Sequence, residues 1–104
     1  METQHPPHAR YSVFIIEDHE LMAQGLRAML EPTYEVSGIA HRGEDVLKAV
    51  VESRPDLVTL DLSLPGRSGM DVLTDLAREF PSLPVVVLTM HVDRALADMA
   101  LRQR

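Results

Sequence analysis

The chain has 104 residues, of which 10 are lysine or arginine and 16 are aspartate or glutamate, so its formal net charge is −6. This length suits one domain rather than two, because domains commonly contain roughly 100–150 residues. The negative charge argues against direct binding to nucleic acid or to anionic lipid. The absence of cysteine excludes disulfides, thiolate-bound metals and thiol nucleophiles, which leaves oxygen and imidazole groups for any chemistry.

The first ten residues, METQHPPHAR, are polar and show no periodicity, so we expect residues 1–10 to form a disordered leader. They lack the apolar stretch of a signal peptide. No apolar run in the sequence approaches the roughly 20 residues needed to span a bilayer. We therefore expect no membrane contact, a cytoplasmic location, and a folded domain over residues 11–104.

From Tyr11 onward, short runs typical of β-strands alternate with segments of helical periodicity. In chain order, the pattern predicts strands at 12–17, 34–40, 56–62 and 83–89. A predicted helix follows each strand, at 19–30, 43–54, 69–80 and 93–102. A strand and helix repeat with short connections favours right-handed crossovers, and therefore an α/β fold with a doubly wound parallel sheet.

The spacing of apolar residues predicts how these elements pack. Each helix repeats apolar residues at i, i+3 and i+4, so each is expected to bury one face. In the first helix this face comprises Leu21, Met22, Leu26, Met29 and Leu30, and in the second it comprises Val46, Leu47, Val50 and Val51. The strand sequences FII and VVVL are apolar at consecutive positions, which predicts strands that are covered on both faces of the sheet.

Open parallel sheets bind ligands beyond the carboxyl ends of their strands. Glu17 and Asp18 follow the first strand, Asp61 ends the third and Thr89 ends the fourth, so we expect these side chains to converge. Two unit charges ~4 Å apart repel by about 4 kcal/mol at an effective dielectric near 20. A shared proton, a basic side chain or a divalent cation must compensate, and hard oxygen ligands suit Mg²⁺ or Mn²⁺. Glu17 or Asp18, taken singly, could instead be a helix cap or a solvated residue.

Asp61 is harder to explain as a structural residue, because it ends an apolar strand where an ionisable group is unusual unless it is paired or functional. In the following segment, DLSLPGRSG, Pro65 and Gly66 predict a turn, and Gly69 offers a permissive backbone before the third helix. The loop should leave the carboxylate open above the sheet. A carboxylate backed by a cation can act as a nucleophile and form an aspartyl phosphate, with the Thr89 hydroxyl bonding a phosphoryl oxygen.

The order and spacing of the acid pair after VFII, the segment VTLDLSLPGRSG and the segment VVVLTMH resemble the receiver domain of bacterial two-component response regulators. The segment LTMH and the predicted helix DHELMAQGLRAML resemble the subfamily whose receivers precede a LuxR-type helix-turn-helix. The resemblance implies a flavodoxin-like sheet, of strand order 2-1-3-4 here. It implies that Asp61 accepts a phosphoryl group from a histidine kinase and that Thr89 is the switch hydroxyl. It also implies a Mg²⁺ site formed by Glu17 through water, Asp18, Asp61 and the Ser63 backbone carbonyl.

Two features depart from the family pattern. Glu17 stands where many relatives have aspartate, although its side chain should still reach a metal-bound water. Family members also carry a lysine at the end of a fifth strand, whereas this sequence ends earlier and its single lysine, Lys48, lies in the second helix. We therefore expect an incomplete receiver without the fifth strand and helix, and a missing or separate DNA-binding domain. We hypothesise that the exposed fourth strand leads to a homodimer or to aggregation.

Other classes of protein fit less well. A flavodoxin shares the expected fold, but the acids at Glu17, Asp18 and Glu20 would repel the phosphate of its cofactor. A haloacid-dehalogenase-type phosphatase has a second aspartate where this chain has Ser63. We therefore do not expect an enzyme. A pseudo-receiver that binds a partner without being phosphorylated is the stronger alternative.

Overall fold

A computed structural model of the protein describes residues 10–62 and 68–88. Its four strands form one parallel sheet in the order β2-β1-β3-β4, so the predicted fold class and strand order are confirmed. The strands are β1 (Ser12–Ile16), β2 (Glu35–Ala40), β3 (Leu57–Asp61) and β4 (Val85–Leu88). The helices are α1 (Glu20–Leu30), α2 (Val46–Ser53) and α3 (Gly69–Glu79), and a short 3₁₀ turn, Gly43–Asp45, precedes α2.

The boundaries of these elements differ from the sequence predictions by one or two residues, except at α2. The helix predicted over 43–54 begins as the 3₁₀ turn, and its α-helical part ends at Ser53. Two other predictions, the helix over 93–102 and a disordered leader over most of 1–10, lie outside the described residues. None of the described helices is long and apolar enough to cross a membrane.

The helices cover the sheet from both sides. Phe14 and Ile16 of β1 and Leu60 of β3 share one buried cluster with side chains of α2 and α3. Because side chains alternate along a strand, Val13 and Ile15 point to the other face, where α1 contributes the buried Ala23. β1 and β3 are therefore covered on both faces, which confirms the prediction made from the run FII in β1.

The prediction of full coverage is wrong for β4. Val86 and Val87 are 44% and 39% exposed, because β4 pairs only with β3 in the part of the chain that the structure describes. The predicted apolar faces of the helices are also only partly correct, since Leu21 and Met29 of α1 are 74% and 76% exposed. Val51 of α2 is exposed as well. The side of α1 that meets the sheet is centred on Ala23, so residues at the margin of its apolar stripe remain in solvent.

Candidate functional site

The carboxyl ends of β1 and β3 bring three acids together. Ile16 pairs with Leu60 in the parallel register, so the next residues along the two strands, Glu17 and Asp61, lie opposite one another. Carboxylate oxygens of Glu17, Asp18 and Asp61 all lie within 4.8 Å of one another. The sequence prediction that these three carboxylates converge is therefore confirmed.

Two of the three acids lie in the protein interior, so the expectation that the Asp61 carboxylate is open above the sheet is wrong. Glu17 is fully buried, Asp61 is 1% exposed and Asp18 is half-buried. Burial raises the pKa of Glu17 from 4.5 to about 6, and the neighbouring Asp18 and Asp61 carboxyls add to this rise. The backbone N–H of His19 donates to Glu17 Oε2 at 3.0 Å and lowers the same pKa. The site therefore stabilises the protonated form of Glu17 when no cation is present.

The backbone around Glu17 is held by the end of β2. The Glu17 N–H donates to the carbonyl oxygen of Ala40 at 2.9 Å. Nδ1 of His41 lies 2.9 Å from the carbonyl oxygen of Glu17. His41 did not emerge as a site residue from the sequence, although it follows a strand that borders β1. In a parallel sheet the end of β2 reaches the same edge as the ends of β1 and β3, and this signal could have identified His41.

The start of α3 lies directly against the backbone of Leu62, the residue that follows β3. The N–H of Gly69 donates to the carbonyl oxygen of Leu62 at 3.2 Å, and a Cβ atom at Gly69 would overlap the Leu62 backbone. Ser68 caps α3 by accepting a hydrogen bond from the Asp71 N–H at 3.1 Å. The expected reason for Gly69 was a permissive backbone, whereas the structure shows a close approach between two backbone segments. Glycine at this position therefore lets α3 begin directly beside the end of β3.

Other residues of the predicted site lie outside the described residues. These are Ser63, which was predicted to supply a backbone carbonyl to the metal, and Thr89, which was predicted to be the switch hydroxyl. The position of Lys48 inside the second helix is confirmed, since it is an exposed residue of α2.

The donor set of the acid cluster fits a hard divalent cation. Three carboxylates supply only oxygen ligands, and they lie close enough for one ion to contact all of them. Mg²⁺ prefers such ligands and is usually bound by one or two carboxylates together with water and phosphate oxygens. A divalent cation would also offset the repulsion among the three negative charges.

Comparisons with known proteins agree with this geometry. The family model described as "Response regulator receiver domain" matches residues 13–104. The chain is 36% identical over 83 residues to the transcriptional regulatory protein LiaR of Bacillus subtilis (strain 168), a match that covers 78% of this chain and 39% of LiaR. It is 30% identical over 95 residues to the transcriptional regulatory protein DegU of Brevibacillus brevis, covering 89% of this chain and 40% of DegU. The chain thus spans about two-fifths of the length of these relatives.

A solved structure extends the similarity to three dimensions. The isolated REC domain of RcsB from Salmonella enterica serovar Typhimurium, determined with the phosphomimetic BeF₃⁻, matches with a TM-score of 0.74 and 28% identity. The match covers 89% of this chain and 71% of the RcsB chain. The sheet and its acidic edge thus define a signalling domain of the flavodoxin-like class. The chain belongs to the response regulator receiver domain family.

Proposed function

We propose that this receiver domain accepts a phosphoryl group from a histidine kinase on Asp61, with Mg²⁺ bound at the acid cluster, and thereby controls transcription. The observation that carries this proposal is the cluster itself, in which the buried Asp61 lies within 4.8 Å of two further carboxylates. Three carboxylates this close together repel one another, and a bound cation would offset that repulsion. The same cation would offset the negative charge of a phosphoryl group on Asp61, which gives Asp61 a chemical role.

The reaction assigns a separate task to each acid. A carboxylate oxygen of Asp61 attacks the phosphorus atom of a phosphohistidine. A phosphorus–oxygen bond forms, and the phosphorus–nitrogen bond breaks with its electron pair moving to the imidazole nitrogen. Glu17 and Asp18 would hold the metal beside Asp61, and a pKa of about 6 leaves Glu17 mostly ionised at neutral pH. Bound Mg²⁺ supplies positive charge that stabilises the negative oxygens of the phosphoryl group in transfer.

Several finer assignments stay predictions. Ligation by the Ser63 carbonyl and switching by Thr89 concern residues outside the described ranges. Control of transcription is supported by the similarity to the transcriptional regulatory proteins LiaR and DegU, whose length this chain covers only in part. The cytoplasmic location and the homodimer also stay predictions. The pseudo-receiver alternative is not favoured, because a module that only binds a partner has no need of three converging carboxylates.

The test is phosphorylation with acetyl phosphate and Mg²⁺, followed by intact mass measurement. We expect the wild-type chain to gain one phosphoryl group, and hydroxylamine should remove it because an acyl phosphate reacts with this nucleophile. Asp61→Asn should abolish the gain. The matched control is Asp45→Asn, which changes an exposed aspartate in the turn before α2 and should leave the gain intact.

Two outcomes would contradict the proposal. Undiminished phosphorylation of Asp61→Asn would assign the acceptor to another residue. A folded wild-type chain that gains no phosphoryl group from acetyl phosphate or from any histidine kinase would favour the pseudo-receiver instead.

A further inference from the structure

A cavity lies at the end of the sheet opposite the acid cluster. It has a volume of about 560 Å³ and is bordered by residues near the end of α2, by Phe80, which caps the end of α3, and by the segments that lead into β3 and β4. Its apolar walls come from Val50, Val51, Pro55, Phe80, Pro81 and Leu83. A cavity of this size with mostly apolar walls is typical of sites that bind small molecules.

Arg54 brings a positive charge to this cavity in an unusual way. It is the C-cap of α2, with φ 47° and ψ 60°, and it is the single non-glycine residue with positive φ in the described ranges. Glycine normally occupies this left-handed position at the end of a helix, because a Cβ atom is strained there. The geometry therefore keeps a long cationic side chain at a site where the backbone alone would favour glycine.

The Arg54 guanidinium is available to a ligand. Within residues 10–62 and 68–88, its side chain takes part in no hydrogen bond or ion pair. Asp56 lines the same cavity, but its Oδ2 accepts hydrogen bonds from the Ser12 N–H at 2.8 Å and the Ser12 hydroxyl at 3.2 Å. Asp56 thus interacts with the start of β1, while Arg54 is an exposed residue that lines this cavity and a second, more polar cavity beside it.

The surrounding charges make Arg54 indispensable for any anion that binds. The carboxyl ends of α2 and α3 border the cavity, and the carboxyl end of a helix carries a partial negative charge. Asp56 adds a full negative charge nearby. An anion would therefore be repelled unless it pairs directly with the guanidinium, whose planar shape matches a carboxylate through two parallel hydrogen bonds.

We propose that this cavity binds a small organic carboxylate with an apolar body. The carboxylate pairs with Arg54, and the apolar body lies against Phe80, Val50 and Leu83. The site is separate from the acid cluster and requires no phosphoryl chemistry, so it goes beyond the proposed function. It adds a small-molecule input to a domain whose other input is phosphorylation.

The probe for this proposal is 3-phenylpropionate, titrated into the ¹⁵N-labelled chain while backbone amide shifts are followed by NMR. We expect saturable shifts for residues that line the cavity, such as Val51, Arg54 and Leu83. The neutral analogue 3-phenylpropanamide has the same apolar body and should bind roughly tenfold or more weakly, because a hydrogen-bonded charge pair is lost.

Variants of Arg54 separate charge from folding. Arg54→Gly removes the guanidinium and relieves the left-handed backbone, so this variant should remain folded and lose roughly tenfold or more in affinity. Arg54→Lys keeps the charge but loses the planar pair of donors, so its affinity should fall between those of the wild type and Arg54→Gly. The control Arg42→Gln removes the same unit of charge from an exposed residue beyond the other end of the sheet and should bind as the wild type does.

Three results would overturn the inference. They are equal affinity for the carboxylate and its amide, unchanged affinity in a folded Arg54→Gly variant, and shifts concentrated at the acid cluster instead of the cavity. Because none of these readouts involves Asp61, a failed phosphorylation test and a failed ligand test can be told apart.

Discussion

Glu17→Gln should remove a specific pH dependence from the stability of the metal-free domain. The folded protein raises the pKa of Glu17 from 4.5 to about 6, chiefly through burial. Below pH 4.5 the carboxyl is protonated in both the folded and the unfolded chain. Above pH 6 it is ionised in both, and the buried charge destabilises the folded state. Since the folded chain binds the proton more tightly, the free energy of unfolding falls as pH rises between these values.

The size of the effect follows from the two pKa values. The interval between 4.5 and about 6, at 1.36 kcal/mol for each pH unit, corresponds to about 2 kcal/mol. This is a large share of the roughly 5–15 kcal/mol by which domains are stable. Glutamine has a similar shape and can still accept the hydrogen bond that His19 donates to Glu17. The variant should therefore lose the charge and keep the local geometry.

The assay is urea unfolding in EDTA from about pH 4 to about pH 7.5, with the wild type, Glu17→Gln and the control Glu52→Gln compared at each pH. Glu52 is an exposed glutamate of α2. The difference in unfolding free energy between Glu17→Gln and the wild type should grow by about 2 kcal/mol across this range. The difference for Glu52→Gln should stay near zero. A flat difference for Glu17→Gln would refute the reasoning that burial in the cluster disfavours its charge.

Two further predictions concern the same end of the sheet. Gly69→Ala should lower the free energy of unfolding by roughly 1–3 kcal/mol in urea titrations, because its Cβ atom would meet the Leu62 backbone. The control is Gly25→Ala in α1, where the new Cβ atom has no neighbour within 4 Å and should raise the free energy of unfolding by roughly 0.5–1 kcal/mol. Equal effects of the two substitutions would contradict the close approach at Gly69. Excess Mg²⁺ should raise the wild-type melting temperature above its value in EDTA. At a free Mg²⁺ concentration of 100 times Kd, the free energy of unfolding should rise by about 2.7 kcal/mol. Asp18→Asn should reduce that increment, and identical wild-type melts in EDTA and Mg²⁺ would contradict the metal site.

Local patterns in the sequence predicted the alternation of strands and helices. Strand and helix alternation predicted all four strands and the three described helices, and the strand order followed from the family resemblance. The acid cluster was also predictable, because parallel strands end at the same edge of a sheet and Glu17, Asp18 and Asp61 stand at such ends. These features depend on the spacing of apolar residues and on the order of strands and helices along the chain, and both can be read from the sequence.

The remaining features were decided by tertiary structure. Leu21 and Met29 belong to the apolar stripe of α1 but are exposed, because the rotation of a helix against a sheet is set by packing. The close approach of Gly69 to Leu62 joins residues on either side of a loop, and the cavity at Arg54 arises where the ends of α2 and α3 meet the starts of β3 and β4. Periodicity describes one element at a time, whereas contacts between elements depend on how their side chains fit together in the folded chain.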